Sequence, residues 1–196
     1  PAPVQLSAYR RHRQIGIRDS AQSDPGLAWI HFPAGTGGLG AGRGFQRLVH
    51  DAVVAVDAPQ PRYEIGYGMA APTIAEVGTG DQKTRWLRPL FTGEEVWCQL
   101  FSEPGAGSDV AGLSCRAVQD GDEWVVNGQK VWTSNAHMAR WGLLVTRTDP
   151  DAPKHRGMTY FGIDLHQPGV EIRPLRQMTG QAEFNEIYLT DAKVSE

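Results

Sequence analysis

Residues 101 to 112 read FSEPGAGSDVAG, with three glycines, two serines, a proline and two acids directly after an apolar run. This mixture buries little surface and leaves backbone N–H groups and hydroxyls free. Glycines admit a close approach, successive N–H groups form an anion-binding concavity, and Ser102 and Ser108 add side-chain donors. The chemistry suited to that set is the holding of a phosphate or pyrophosphate. A long hairpin loop whose Asp and Ser cap its own backbone has the same composition, so the stretch alone leaves both readings open. A second stretch, QKVWTSNAHMARW at 129 to 141, places Trp132 beside the hydroxyls of Thr133 and Ser134. There a flat ring can lie against a strand and meet hydrogen-bond partners at its polar edge. Two such strand ends suit one large cofactor.

A third stretch imitates a nucleotide site. GTGGLG at 35 to 40 fits the dinucleotide-binding glycine pattern through Gly35, Gly37 and Gly40. Its context does not fit: AWIHF is short for a central strand, Pro33 intervenes, and no alternation of strand and helix follows. The expectation is a glycine turn before a helix.

The elements that must carry these residues fall into two halves. Up to about residue 95 the apolar period is helical. GFQRLVHDAVVAV spaces Phe45, Leu48, Val49, Ala52, Val53 and Val56 by three and four. In TGDQKTRWLRPL, Thr79 with Gln82 three residues later predicts a capping box, and Gly78 is expected to end the preceding helix, MAAPTIAEV. Beyond Gly93 the period becomes two. Asp120-Gly121 and Asn127-Gly128 read as turns flanking a strand near Trp124–Val126, and WGLLVTRT, MTYFGIDL, VEIRPL and FNEIYLTD read as further strands. The predicted class is α+β: a helical domain over 1–95, then a mostly antiparallel sheet or barrel over 96–196.

Composition narrows the functions. With 40% apolar residues in 196, the chain can bury a core. A net charge of −3, with 19 scattered basic residues, argues against a nucleic-acid partner. The Arg10, Arg11 and Arg13 cluster reads as a solvated helix face. Cys98 and Cys115 lack the spacing of a metal or disulfide framework, and the six histidines form no ligand pair, so no metal is expected. No signal-peptide pattern or membrane-length apolar run is present, and a cytoplasmic location is the expectation.

SEPGAGSD, preceded by GTGDQKTRWLRPLFTGE and followed by NGQKVWTSNA, resembles the acyl-CoA dehydrogenase family in order and spacing, over roughly residues 27 to 196. The first 26 residues match poorly, and the helix that opens these proteins is expected to be shortened or missing. The resemblance implies FAD bound on the β-domain. Gln99, Leu100, Phe101 and Ser102 would contact it from the first strand, although Gln99 stands where relatives carry an aromatic or apolar residue. Gly107 and Ser108 would face its pyrophosphate or the acyl-CoA, with Ser108 also substrate-binding. Trp132 would pack on the isoalloxazine, and Thr133 and Ser134 complete the set, Ser134 keeping a hydroxyl where relatives have Thr. The implied reaction is α,β-dehydrogenation of an acyl-CoA thioester to the trans-2-enoyl-CoA. A carboxylate takes the α-proton, the β-hydrogen leaves as hydride to the flavin, and electrons pass to an electron-transferring flavoprotein. In the family that carboxylate belongs to a C-terminal four-helix domain, expected to be absent from this chain, so no catalytic residue is assigned and the fragment is expected to be inactive. Glu103 and Asp109 are expected to fix the loop. A homo- or hetero-oligomer is expected. The competing readings are a flavin monooxygenase of the same fold and a noncatalytic acyl-CoA-binding subunit.

Overall fold

The computed structural model describes residues 20–56 and 64–195. The Arg10, Arg11 and Arg13 cluster lies outside them. The chain divides into two compact units after Glu95.

The first unit is helical, and its centre is an irregular stretch. Ala28, Trp29, Ile30 and Phe32 are buried, and the Trp29 ring stacks on Phe32 at 4.9 Å and meets the edge of Phe91 at 4.8 Å. A stretch without a ladder must pair its backbone elsewhere. The Gln46 side chain accepts from the Ile30 N–H and donates to the Ala28 carbonyl, which also accepts from the Tyr67 hydroxyl. Three α-helices follow among the described residues, α1 (Gln46–Ala55), α2 (Ala71–Val77), which a π-helical segment (Gly66–Ala70) leads into, and α3 (Gly80–Thr92). The capping box forms as expected, with the Gln82 N–H donating to Thr79 Oγ1 at 3.2 Å and the Thr79 N–H to Gln82 Oε1 at 2.9 Å. Gly78 ends α2 in an extended conformation, φ −68° and ψ 153°. α1 has the predicted period, but none of its residues is buried.

GTGGLG is a turn. Ala34 and Gly38 form an isolated bridge, and no strand precedes the glycines among the described residues.

The second unit is one seven-stranded sheet, β1 (Trp97–Leu100), β2 (Arg116–Asp120), β3 (Glu123–Ser134), β4 (Trp141–Arg147), β5 (Met158–Asp164), β6 (Val170–Leu175) and β7 (Phe184–Ser195). The order is β1-β4-β2-β3-β7-β6, with β5 on β4. Most pairs are antiparallel, but β1 runs parallel to β4 and a single parallel bridge joins β2 to β4, so the sheet is mixed. Its core includes Leu100, Val126, Leu144, Ile163 and Ile187. Asp120-Gly121 is a hairpin turn, with Asp120 opposite Glu123 and Gly121 at φ 64°. Asn127-Gly128 is not a turn: both residues lie inside β3, at a register shift against β7. Glycine is needed there for close approach, since a Cβ at 128 would lie 2.6 Å from that of Cys115. Cys98 and Cys115 are free buried thiols. No helix among the described residues is long and apolar enough to cross a membrane.

Candidate functional site

The chain leaves β1 at Leu100, whose side chain is wholly buried in the sheet core. Leu100 therefore has backbone but no side chain to offer a surface ligand. Gln99, half-buried, pairs with Leu143. The Phe101 ring meets Tyr160 edge-on at 5.5 Å. The loop then closes on itself: the Glu103 N–H donates to the Ala106 carbonyl at 2.9 Å and the Ala106 N–H returns to Glu103 at 3.1 Å. Ala106 and Leu113 pack on Val145, so one side of the loop is anchored apolar surface. The other side is open. Gly105, Gly107 and Ser108 are exposed, and their N–H groups have no acceptor among the described residues. That is the donor array an anion needs.

The loop's two acids are occupied. Glu103, buried, accepts from the Ser114 N–H (2.7 Å) and hydroxyl (2.8 Å), the Cys115 N–H (3.0 Å) and Lys130 Nζ (2.9 Å). Burial pushes its carboxyl up, but the hydrogen bonds from Lys130 and Ser114 outweigh that and hold it below the ordinary carboxylate range. Asp109 pairs with Lys154, and that hydrogen bond keeps its carboxyl low. Arg147 adds a further tie, donating to the carbonyls of Ala111 and Lys154.

The second segment ends β3. Lys130 pairs with Ile187 and Thr133 with Asn185, so β3 has one residue more than β7 between these pairs. This bulge reverses the facing of the strand end. Trp132 sits at φ 60°, a left-handed conformation rare for an aromatic residue, and is 62% exposed. Its ring touches the edge of Phe184. Thr133 turns inward, its hydroxyl buried without a partner, so like Leu100 it offers no side chain at the surface. Ser134 is half-buried. Asn185, fully buried, fixes the bulge by donating to the Thr133 carbonyl at 2.9 Å while its Oδ1 meets His137 Nδ1.

The two segments are side by side on this sheet. The Val131 N–H donates to the Ser102 carbonyl at 2.9 Å and Lys130 Nζ to the Phe101 carbonyl at 3.0 Å. These contacts bring Phe101 and Ser102 against the residues just before Trp132. Sequence reasoning missed Lys130, Asn185 and Arg147; the one hint was a lysine placed between the Asn-Gly pair and the aromatic strand end.

Two sequence profiles match this chain: "Acyl-CoA dehydrogenase, N-terminal domain" over residues 7–94 and "Acyl-CoA dehydrogenase, middle domain" over 98–192. The chain belongs to the acyl-CoA dehydrogenase family. The match begins at residue 7, about twenty residues before the motifs alone indicated. Acyl-CoA dehydrogenase FadE34 of Mycobacterium tuberculosis is 50% identical over 177 residues, 90% of this chain and 25% of that protein. The ChsE4-ChsE5 complex from Mycobacterium tuberculosis superposes with a TM-score of 0.77 at 31% identity, covering 99% of this chain and 50% of the matched one. The Tcur3481-Tcur3483 steroid acyl-CoA dehydrogenase gives 0.74 at 29%, covering 100% and 56%. The chain thus spans between a quarter and just over half the length of these matched proteins.

The site's surface suits a flat ring joined to a pyrophosphate. An exposed aromatic stands at one segment, and unpartnered N–H groups stand at the other. A Cβ built on Gly107 would meet nothing within 4 Å, which leaves that space open to a ligand.

Proposed function

We propose that this chain is the flavin-holding part of an enzyme that dehydrogenates acyl-CoA thioesters between their α and β carbons. What carries the reading is the clamping of two surface segments on one sheet. An open glycine loop with free N–H groups is held by its backbone against the strand that presents Trp132. FAD, when bound, supplies the acceptor for the substrate's β-hydrogen. In this reading Trp132 packs on the ring and Ser134 hydrogen-bonds at its edge. Phe101, Ser102 and Gln99 line the same wall, and the N–H groups of Gly107 and Ser108 receive the pyrophosphate or the acyl-CoA. Leu100 and Thr133 support that wall from beneath.

Removal of the α-proton needs a base, and an acid held below its ordinary range and fully hydrogen-bonded is a poor one. Glu103 is in that state, and Asp109 is engaged by Lys154, so neither is assigned as the base. The similarity to a chain of the ChsE4-ChsE5 complex supports an oligomeric assembly, and an electron-transferring flavoprotein is the proposed electron acceptor. The test uses the full-length protein. It should carry flavin absorption bands and convert at least one acyl-CoA of a panel, straight-chain and steroid-derived thioesters included, to the enoyl-CoA with an artificial electron acceptor. A preparation that stays colourless in excess FAD would refute the reading.

A further inference from the structure

Lys130 has no solvent exposure at all, and its ammonium is shared between Glu103 Oε1 at 2.9 Å and the Phe101 carbonyl at 3.0 Å. The Glu103 carboxylate collects three more donors from Ser114 and Cys115. A pair this deep gives weak stabilisation, because removing both ions from water offsets their attraction, and an apolar pair of similar volume commonly serves a fold as well or better. Stability alone therefore gives no reason for these ions. Their geometry does. Lys130 sits immediately before Val131, whose N–H holds the Ser102 carbonyl, and two residues before Trp132. One ion pair thus ties three stretches of backbone: the exit of β1 at Phe101, the far end of the loop at Ser114–Cys115, and β3 just ahead of its bulge.

We propose that Glu103 and Lys130 are positioning residues, a buried strut that fixes the 101–108 loop and the Trp132–Ser134 bulge in one register so that both open faces meet the same ligand. The proposal rests on the reading that FAD lies across these segments. No ligand contact is assigned to either residue, and their effect is transmitted through the backbone at Phe101, Ser102 and Val131.

The test is Glu103→Leu/Lys130→Met in the full-length protein. Three quantities are measured: the thermal midpoint, the FAD dissociation constant by fluorescence titration, and hydrogen exchange at the Val131 amide with Ile163, buried in the β4–β5 pair away from the loop's own cluster, as control. The expected result is a thermal midpoint at or above the parent's, FAD affinity weakened roughly tenfold or more, and faster exchange at Val131 with Ile163 unchanged. Parent-like FAD affinity overturns the proposal. So does acceleration at Ile163 equal to that at Val131, since that is general loosening rather than lost register. If the parent itself binds no FAD, the functional reading fails separately, and exchange at Val131 alone decides the strut: parent-like exchange overturns it. Should the double variant not fold, Glu103→Gln, which keeps the side-chain shape, is expected to weaken FAD affinity and to speed exchange at Val131, and parent-like values of both overturn the proposal.

Discussion

Two glycine-rich stretches, GTGGLG at 35 to 40 and SEPGAGSD at 102 to 109, share the composition of ligand loops and differ in what the fold demands of them. In the first, the backbone itself needs glycine. A Cβ on Gly38 would lie 2.2 Å from the Phe32 carbonyl oxygen, and Gly37 is at φ 86°. In the second, Gly107 has no left-handed φ and an added Cβ would touch nothing. Glycines that internal packing explains report on the fold. A glycine that packing leaves unexplained, in a loop with free N–H groups, is the kind whose space the proposed reading gives to a ligand.

The two loops are also held differently, and variants can separate them. Lys130→Met should have the largest effect. It strands the buried Glu103 carboxylate, and removing one partner of such a pair destabilises by about 3–5 kcal/mol; chemical denaturation measures it. Gly38→Ala comes next. It forces backbone to shift around the Phe32 carbonyl, a cost of about 1–3 kcal/mol, with no change in FAD affinity beyond that general loss. If Gly38→Ala were silent in denaturation while lowering FAD affinity, the comparison would be inverted.

Acid should act on the second loop. The Glu103 carboxyl is held below its unfolded value, so its contribution to stability is present above the ordinary carboxylate range and is lost as pH falls through the lowered folded value. Denaturation midpoints taken downward from neutral pH should therefore decline, and the decline should be shallower in Glu103→Leu/Lys130→Met. An equally steep decline in that variant would assign the acid sensitivity to other carboxylates.

Much of this was legible in the sequence, and what was not has a physical reason. The Thr79–Gln82 capping box is a contact over three residues, so its pattern is complete within the stretch that forms it. The change of period near residue 95 separated helices from sheet for the same local reason. Asn127-Gly128 misled because a residue pair that favours a turn also serves a bulge, and only the register against β7 distinguishes them. The facing of Trp132 and Thr133 followed from a second register shift, where the extra residue lies in β3 rather than in β7, again invisible without the partner strand. The Glu103–Lys130 pair spans 27 residues and depends on β1 and β3 being brought together, which no local spacing encodes. The open loop was visible as composition; that its glycine is unneeded by the fold was not.

Smaller effects on the fold are expected at the open surface. Trp132→Ala removes a mostly exposed ring and should change stability by no more than about 0.5 kcal/mol, while FAD affinity falls by roughly tenfold or more, the order of a lost aromatic packing contact. Unchanged affinity, with an unchanged flavin spectrum, would remove Trp132 from the site.

The most direct test is Gly107→Val in the full-length protein, with thermal unfolding without ligand set beside titrations of FAD and of acyl-CoA. Because the added side chain meets nothing in the chain, the unliganded protein should unfold within about 0.5 kcal/mol of the parent, and affinity for FAD, acyl-CoA or both should drop by roughly tenfold or more. A variant that binds both as tightly as the parent would contradict the account and return SEPGAGSD to an ordinary hairpin loop.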